Sequence, residues 1–372
     1  MKRLPTNRAF RLVKPQGSMS LGYVPTAYQM IHEIEIANFK CFKDLKIKDC
    51  KRMNIVVGDN GSGKTALLEA IFLALGGTSN LPLRYRQQRG MDTPHMRGSS
   101  AKLTEALLGD LFYRLDMTTS VSVDLHGTGE EARSVKIVRN VNSVTSATPL
   151  IFIWKDASGK ERAVVPEISA AKIDFPDTGE TLDDSFFFAS NQTYSAVENA
   201  ERFSILSRAK RQNNFVNVFT HEYGWIEDIG IEVLATAPAL YASLTGLSDK
   251  LALPSVSGGI NRFASILVAM AARPRSVILV DEIENGLYYK HHENYWKALL
   301  NNCREYECQL LLTTHSAEWL DALASAAGDK VSDIALWRAE RGDNGQPEIF
   351  QFSGKTLKDG IEGGAEVRGG TE

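Results

Sequence analysis

The stretch Gly58-Asp-Asn-Gly-Ser-Gly-Lys64-Thr65 matches the phosphate-loop pattern G-x-x-x-x-G-K-[ST] at every fixed position. Residues 53–57 before it are mostly apolar, as in a short buried strand. Residues 65–75 after it favour a helix that ends at Gly76-Gly77. A glycine-rich loop between a strand and a helix turns backbone N–H groups toward the positive end of that helix, where phosphate is stabilised. The sequence therefore predicts a site for a nucleoside triphosphate.

Two side chains of this loop have distinct expected roles. Lys64 supplies a mobile cation for the β- and γ-phosphates, and the hydroxyl of Thr65 is a ligand for Mg2+. The other expected phosphate contacts come from Gly58, Asn60, Gly61, Ser62 and Gly63.

The composition indicates a globular protein that works in water. The chain has 372 residues, of which 43% are hydrophobic and 23% charged, so it can form one elaborated domain or two joined lobes. Its net charge of −3 argues against a protein that coats nucleic acid nonspecifically. No apolar run approaches the roughly 20 residues that span a bilayer, so no membrane association is expected. The four cysteines lack paired spacing, which favours reduced thiols in a cytoplasmic protein.

The order of predicted elements indicates an α/β fold. Residues 31–48 alternate apolar and polar positions, as half-buried strands do, and residues 120–165 contain further strand and hairpin patterns. Residues 103–115 resemble an amphipathic helix, and a second helical pattern covers about 196–217. Helices and strands alternate from 260 to 338, which predicts a mainly parallel sheet core flanked by helices. The strand-rich part predicts an antiparallel β subdomain, and the second helical pattern predicts a helical lobe.

These patterns divide the chain into three parts. Residues 1–30 carry five basic and no acidic side chains and are expected to form a mobile arm. Residues 31–352 are expected to form the nucleotide-binding domain, with a β-rich and helical insertion at about 78–250. The glycine-rich, charged tail 353–372 is expected to be flexible.

Two adjacent carboxylates follow a second apolar strand. Residues 276–280 lead directly into Asp281 and Glu282, and ligands bind at the carboxyl ends of strands in open α/β sheets. Asp281 is expected to hold Mg2+ through water. Glu282, one residue further and turned to the other side, is expected to orient and polarise the attacking water. An acidic pair that merely ends a strand is the alternative for this motif alone.

A histidine follows the next strand. Residues 310–316 read Leu-Leu-Leu-Thr-Thr-His-Ser, which places His315 beside the acidic edge, where it can donate a hydrogen bond to a γ-phosphate. Alternatively, His315 is only the neighbour of Ser316, which has the sequence context of a helix N-cap. The ordered set of phosphate loop, acidic pair and histidine favours a γ-phosphate sensor.

Ser257, Gly258 and Gly259 precede an alanine-rich helix and predict a second anion site at a helix N-terminus. One triphosphate does not need two such sites in one chain. The economical explanation is that this segment caps the γ-phosphate bound by another subunit, and the alternative is an ordinary turn with an N-cap. Arg262 could reach a phosphate or pair with a carboxylate, and the sequence leaves both open.

These motifs, in this order, resemble the ABC-type ATPase heads of the SMC/RecF/OLD group. The chain is most similar to the compact, standalone AAA-family ATPase subunits of bacterial anti-phage systems such as PARIS, Septu or retron-associated modules. The match covers residues 31–77 and 250–340, with Ser257-Gly258-Gly259 similar to the ABC signature and residues 281–287 similar to a Walker B motif and D-loop. The usual terminal glutamine of the signature is absent.

The resemblance implies several properties. It implies ATP hydrolysis with Mg2+, a head-to-tail homodimer or higher homo-oligomer with ATP at the interface, and a glutamine that contacts Mg2+, for which Gln192 is the candidate. The chain lacks an Asp-x-Asp cluster suited to two metals, so a nuclease or toxin activity would belong to a separate effector protein.

Two other functions compete with a defence role. A RecF-like DNA-binding repair ATPase would use basic residues as phosphate contacts, for which the candidates are Arg84, Arg86, Arg89, Arg208, Lys210 and Arg211. A nucleotide-binding subunit of an ABC transporter is disfavoured by the β-rich insertion and the altered signature. DNA thus stands as a second candidate partner.

Overall fold

The computed structural model describes residues 30–76, 81–88, 99–127, 132–140, 150–169, 173–174, 185–190, 194–234, 237–342 and 345–363. The predicted basic arm lies outside the described residues except for Met30, and so does Gln192.

The strands and helices have the following bounds in chain order. They are β1 (Glu33–Phe39), β2 (Phe42–Ile47), β3 (Met53–Gly58), α1 (Lys64–Gly76), α2 (Leu81–Gln88), α3 (Ser100–Leu108), β4 (Val121–His126), β5 (Ala132–Arg139), β6 (Leu150–Lys155), β7 (Glu161–Val164), β8 (Glu167–Ile168), β9 (Ile173–Asp174), β10 (Ser185–Phe188), α4 (Ala196–Arg208), α5 (Gln212–Glu222), β11 (Ile226–Leu234), β12 (Ala237–Leu244), β13 (Leu251–Ala252), α6 (Leu253–Val256), α7 (Gly258–Ala272), β14 (Val277–Val280), α8 (His292–Glu305), β15 (Gln309–Thr313), α9 (Ala317–Ala327), β16 (Ile334–Arg341), β17 (Pro347–Ser353) and α10 (Gly354–Glu362).

The central sheet has the strand order β10-β14-β15-β3-β16-β17. Its neighbours are parallel from β10 to β16, and β17 adds an antiparallel edge. Both faces of β3 are buried: Ile55 and Val57 belong to the core that contains α7, α8 and α9, whereas Val56 belongs to the core that contains α1. Helices therefore cover both faces of a mainly parallel sheet, as the sequence predicts.

A second sheet is antiparallel and has the order β2-β1-β4-β5-β6-β7. Its β4–β5 and β6–β7 hairpins are the ones that the sequence patterns predict. This sheet packs on α1, and the buried indole N–H of Trp154 donates to the carbonyl of Leu73 at 2.9 Å. The β subdomain thus fixes the helix that follows the phosphate loop.

The predicted helical lobe corresponds to α4 and α5, which pack with β11 and β12. The lobe is joined to α7 by a buried hydrogen bond of 2.7 Å from the Asn199 amide to the Ser265 hydroxyl. Among the described residues, no helix combines the length and the apolar character that crossing a membrane requires.

Two local features of the structure differ from what the sequence patterns suggest. The helix predicted for residues 103–115 ends at Leu108, and after one turn of 3-10 helix the extended backbone of Phe112 prevents its continuation. The predicted flexible tail begins with a helix, α10, because Ser353 caps its N-terminus at 3.1 Å from the Thr356 N–H and Leu357 is buried. Local composition does not reveal this tertiary packing.

Candidate nucleotide-binding site

The phosphate loop lies between β3 and α1 and is shaped by glycine. Gly58, Gly61 and Gly63 all have positive φ angles. At Gly63 a Cβ atom would also lie 3.0 Å from Cζ of Phe42 and 3.1 Å from Sγ of Cys41. The backbone conformation therefore favours glycine at this position, and the side chains of Phe42 and Cys41 leave little space for a larger residue.

Lys64 is the first residue of α1 and its side chain is buried. Its ammonium donates hydrogen bonds of 2.7 Å to the carbonyl oxygens of Gly58 and Asp59. Burial lowers the pKa of Lys64 to about 8, and the nearby carboxylate of Asp281 opposes this effect. The lysine side chain thus lies against the loop, and anionic oxygens that approach it would stabilise its charged form.

Asp281 joins three elements at the carboxyl end of β14. Its carboxylate accepts hydrogen bonds from the hydroxyl of Thr65 at 3.0 Å and from the hydroxyl of Thr313 at 2.7 Å. The side chain is almost fully buried, and this burial raises the pKa of its carboxyl group, although the two hydroxyl donors oppose the increase. Two of the three residues assigned to Mg2+, Thr65 and Asp281, are therefore in direct contact.

Glu282 has a different environment from its neighbour. Its φ of 50° lies in the left-handed region that residues other than glycine rarely adopt. The backbone N–H of Glu282 donates to the Thr313 hydroxyl at 2.8 Å, and its carboxylate accepts from the amide of Asn285 at 2.7 Å. The two adjacent carboxylates thus have separate hydrogen-bond partners, which allows them separate roles.

His315 lies after β15 and is half-buried. Its backbone N–H donates to the carboxylate of Glu284 at 2.7 Å, which ties it to the loop after Asp281. Ser316 caps α9 and accepts from the Trp319 N–H at 3.0 Å. The helix-cap interpretation is therefore correct for Ser316 and leaves the imidazole of His315 available for another role.

The segment Ser257-Gly258-Gly259 begins α7. The hydroxyl of Ser257 accepts from the Ile260 N–H at 3.3 Å, as an N-cap does. Gly259 is packed so closely that a Cβ atom there would lie 1.9 Å from the carbonyl oxygen of Gly286. The start of α7 is therefore in contact with the loop that follows Asp281 and Glu282.

The structure shows the hydrogen-bond partners of Arg262, for which the sequence leaves a phosphate and a carboxylate open. Its buried guanidinium donates to the carbonyl oxygen of Ser190 at 3.0 Å and to the backbone carbonyl of Asp281. Its partners are thus the backbone carbonyls that follow β10 and β14, and within the described part of the chain it pairs with no carboxylate. Sequence reasoning also assigned no role to Asn285 and Thr313. Parallel register beside β14 could have indicated Thr313.

A family model described as the RecF/RecN/SMC N-terminal domain matches residues 30–334, which is most of the chain. The chain belongs to this family. The predicted ABC-type ATPase fold of the SMC/RecF group and its activity class, ATP hydrolysis, are therefore confirmed.

Individual relatives differ in how much of the chain they match. An ATP/GTP phosphatase from Helicobacter pylori is 21% identical over 346 residues, which are 81% of this chain and 89% of that protein. The replication and repair protein RecF of Idiomarina loihiensis is 42% identical over 57 residues, only 16% of its length. A solved SMC head bound to the C-winged helix domain of ScpA covers 87% of this chain and 98% of its own, with a TM-score of 0.48 and 15% identity.

Proposed function

We propose that this protein binds ATP and Mg2+ at the phosphate loop and that nucleotide-dependent assembly controls a separate effector protein. The contact of Asp281 with Thr65 carries the first half of this proposal. It brings a carboxylate and a hydroxyl, both hard oxygen donors of the kind that Mg2+ prefers, to the start of α1. Bound there, Mg2+ would neutralise charge on the β- and γ-phosphates.

The residues of the site divide the remaining work. The Lys64 ammonium leaves its carbonyl partners for the phosphate oxygens, which accept more strongly because they are charged. Glu282 orients the attacking water, and its bond from Asn285 fixes the carboxylate. His315, tethered at its N–H to Glu284, contacts the γ-phosphate. Gln192 remains a candidate Mg2+ contact.

A second copy of the chain is the proposed partner at the nucleotide. The N–H groups in the first turn of a helix have no acceptor within that helix, and the first turn of α7 carries such groups from the exposed Gly258 onward. An arriving γ-phosphate from another subunit would satisfy them at the positive end of the helix. Two copies arranged head to tail would thus complete each other's sites.

The substitution Glu282→Gln tests this mechanism. The amide cannot accept a proton from water, so turnover is expected to fall by about 100-fold or more while ATP still binds. The ATP-bound assembly should therefore persist, and a doubled mass should be measurable by light scattering with ATP and absent without it. Glu201→Gln, an exposed glutamate on α4, is the matched control. Normal phosphate release by Glu282→Gln would show that another group is the base.

The effector proposal depends on the resemblance to ATPase subunits of anti-phage systems. A RecF-like repair ATPase is the second candidate, supported by the RecF match and by exposed Arg208 and Lys210 at the end of α4. If the protein acts in defence, we expect a nuclease or reverse transcriptase gene beside its own gene. We also expect that the Lys64→Ala variant no longer protects cells against phage. Salt-sensitive DNA binding that stimulates ATP hydrolysis, and is lost in a double alanine variant of Arg208 and Lys210, would favour repair instead.

A further inference from the structure

Arg341 is an arginine at the rim of the phosphate loop to which the sequence motifs assign no role. It is the last residue of β16, which runs parallel to β3 with Ala339 opposite Gly58. Two residues further along, the Arg341 side chain reaches the crest of the loop, and its Nε–H donates to the carbonyl oxygen of Gly61 at 3.3 Å. The side chain is otherwise exposed. Its guanidinium is thus held at the nucleotide site and still accessible.

The strand order fixes the side on which Arg341 lies. In the central sheet β3 stands between β15 and β16, and β14 lies beyond β15. Asp281 follows β14 and Thr313 is the last residue of β15, so they are on one side of the loop, whereas Arg341 is on the other. Thr65 and Asp281 mark the end at which Mg2+ and the β- and γ-phosphates would be held. The rest of a bound nucleotide must extend away from that carboxylate.

We propose that Arg341 contacts the nucleoside end of the nucleotide, with its guanidinium plane stacked on the base. This inference rests on the proposed function, namely that the loop binds ATP. A guanidinium is planar, always charged and weakly hydrated, and it stacks on aromatic faces. The bond from Nε to Gly61 fixes the side chain, which remains exposed to solvent. Every nucleobase has an aromatic face, so the contact would add affinity with little discrimination among bases.

A comparison of the affinities for two ligands distinguishes a contact with the nucleoside from a contact with the phosphates. The ligands are the non-hydrolysable imido analogue of ATP and inorganic tripolyphosphate, each with Mg2+, titrated calorimetrically into the full chain. Arg341→Ala should weaken binding of the nucleotide about tenfold. It should change tripolyphosphate binding less than twofold, because that ligand has no nucleoside. Arg341→Lys keeps the charge but lacks the plane, and we expect it to behave like Arg341→Ala for the nucleotide.

Arg139→Ala is the matched control, since Arg139 is also an exposed arginine at the end of a strand but belongs to the antiparallel sheet. It should bind both ligands like the wild type. Equal weakening of both ligands by Arg341→Ala would assign Arg341 to the phosphates and overturn the inference, as would unchanged nucleotide binding. A folded wild-type protein that bound neither ligand would overturn the proposed function itself, a result distinct from both.

Discussion

Gly259→Ala tests whether the start of α7 and the loop after Asp281 form one rigid unit. The new Cβ atom would lie 1.9 Å from the carbonyl oxygen of Gly286 and 2.6 Å from its carbonyl carbon. Both are backbone atoms, so no side-chain rotation relieves the overlap and the two segments must move apart. Such overpacking costs about 1–3 kcal/mol. The higher helix propensity of alanine offsets up to about 1 kcal/mol of this loss in the free energy of unfolding.

Gly258→Ala provides the matched control, because among the described residues no atom beyond its chain neighbours and its own helix backbone lies within 4 Å of the position its Cβ would take. It is expected to be neutral or to stabilise the protein by up to about 1 kcal/mol. The two neighbouring alanine variants should therefore differ by about 2 kcal/mol in the free energy of unfolding. Urea denaturation without nucleotide measures this difference.

Activity gives a second measurement on the same pair. Separation of α7 from Gly286 also shifts the segment that contains Glu282 and Asn285, and an error of about 1 Å in such a site can lower turnover about 100-fold. Gly259→Ala should thus release phosphate much more slowly than the wild type even under conditions where it is fully folded. Equal stability of the two alanine variants would refute the proposed rigid contact between α7 and Gly286.

Two further predictions concern the buried charges of the site. Lys64 has a pKa of about 8 in the folded protein against an ordinary value of 10.5, so the free energy of unfolding should rise as the pH increases from 8 toward 10. Bound phosphates should keep Lys64 protonated, so ATP binding at pH 8 should take up about half a proton. This uptake is measured as a dependence of the binding enthalpy on the ionisation enthalpy of the buffer, and a binding enthalpy that is the same in every buffer would contradict the assignment. Asp281→Asn keeps an acceptor for the hydroxyls of Thr65 and Thr313 and removes a buried charge whose pKa is raised in the folded state. At pH 7 this variant should therefore be at least as stable to urea as the wild type but release phosphate at least about 100-fold more slowly, and a large loss of stability would show that the charge itself holds the site together.

The parts of the fold that sequence reasoning predicted correctly depend on short-range patterns. The strand before Gly58 and the helix after Thr65 have strong periodicity and a glycine boundary, and they occur as β3 and α1. The position of Asp281 could also be predicted, because a buried strand delivers the residue that follows it to the edge of the sheet. The structure brings it to Thr65 from 216 positions away along the chain.

The missed features depend on contacts between distant segments. Arg262 lies in no pattern with a defined partner, since its partners follow from how β10, β14 and α7 come together. Helix α10 was missed for the same reason, because a glycine-rich, charged sequence predicts mobility unless a surface covers Leu357. Arg341 belongs to no sequence motif, and only the pairing of β16 with β3 brings it to the phosphate loop.

The contacts around Asp281 connect the catalytic edge to the helix proposed to face the second subunit. The side chain of Asp281 is bonded to Thr65 and Thr313, and its backbone carbonyl accepts from Arg262 of α7. Gly259, one helical turn before Arg262, packs on Gly286 of the same loop. Because α7 is attached to this loop at both points, a displacement of Asp281 when phosphate and Mg2+ arrive cannot leave the start of α7 in place. Nucleotide occupancy in one subunit would therefore alter the surface that completes the site of the other.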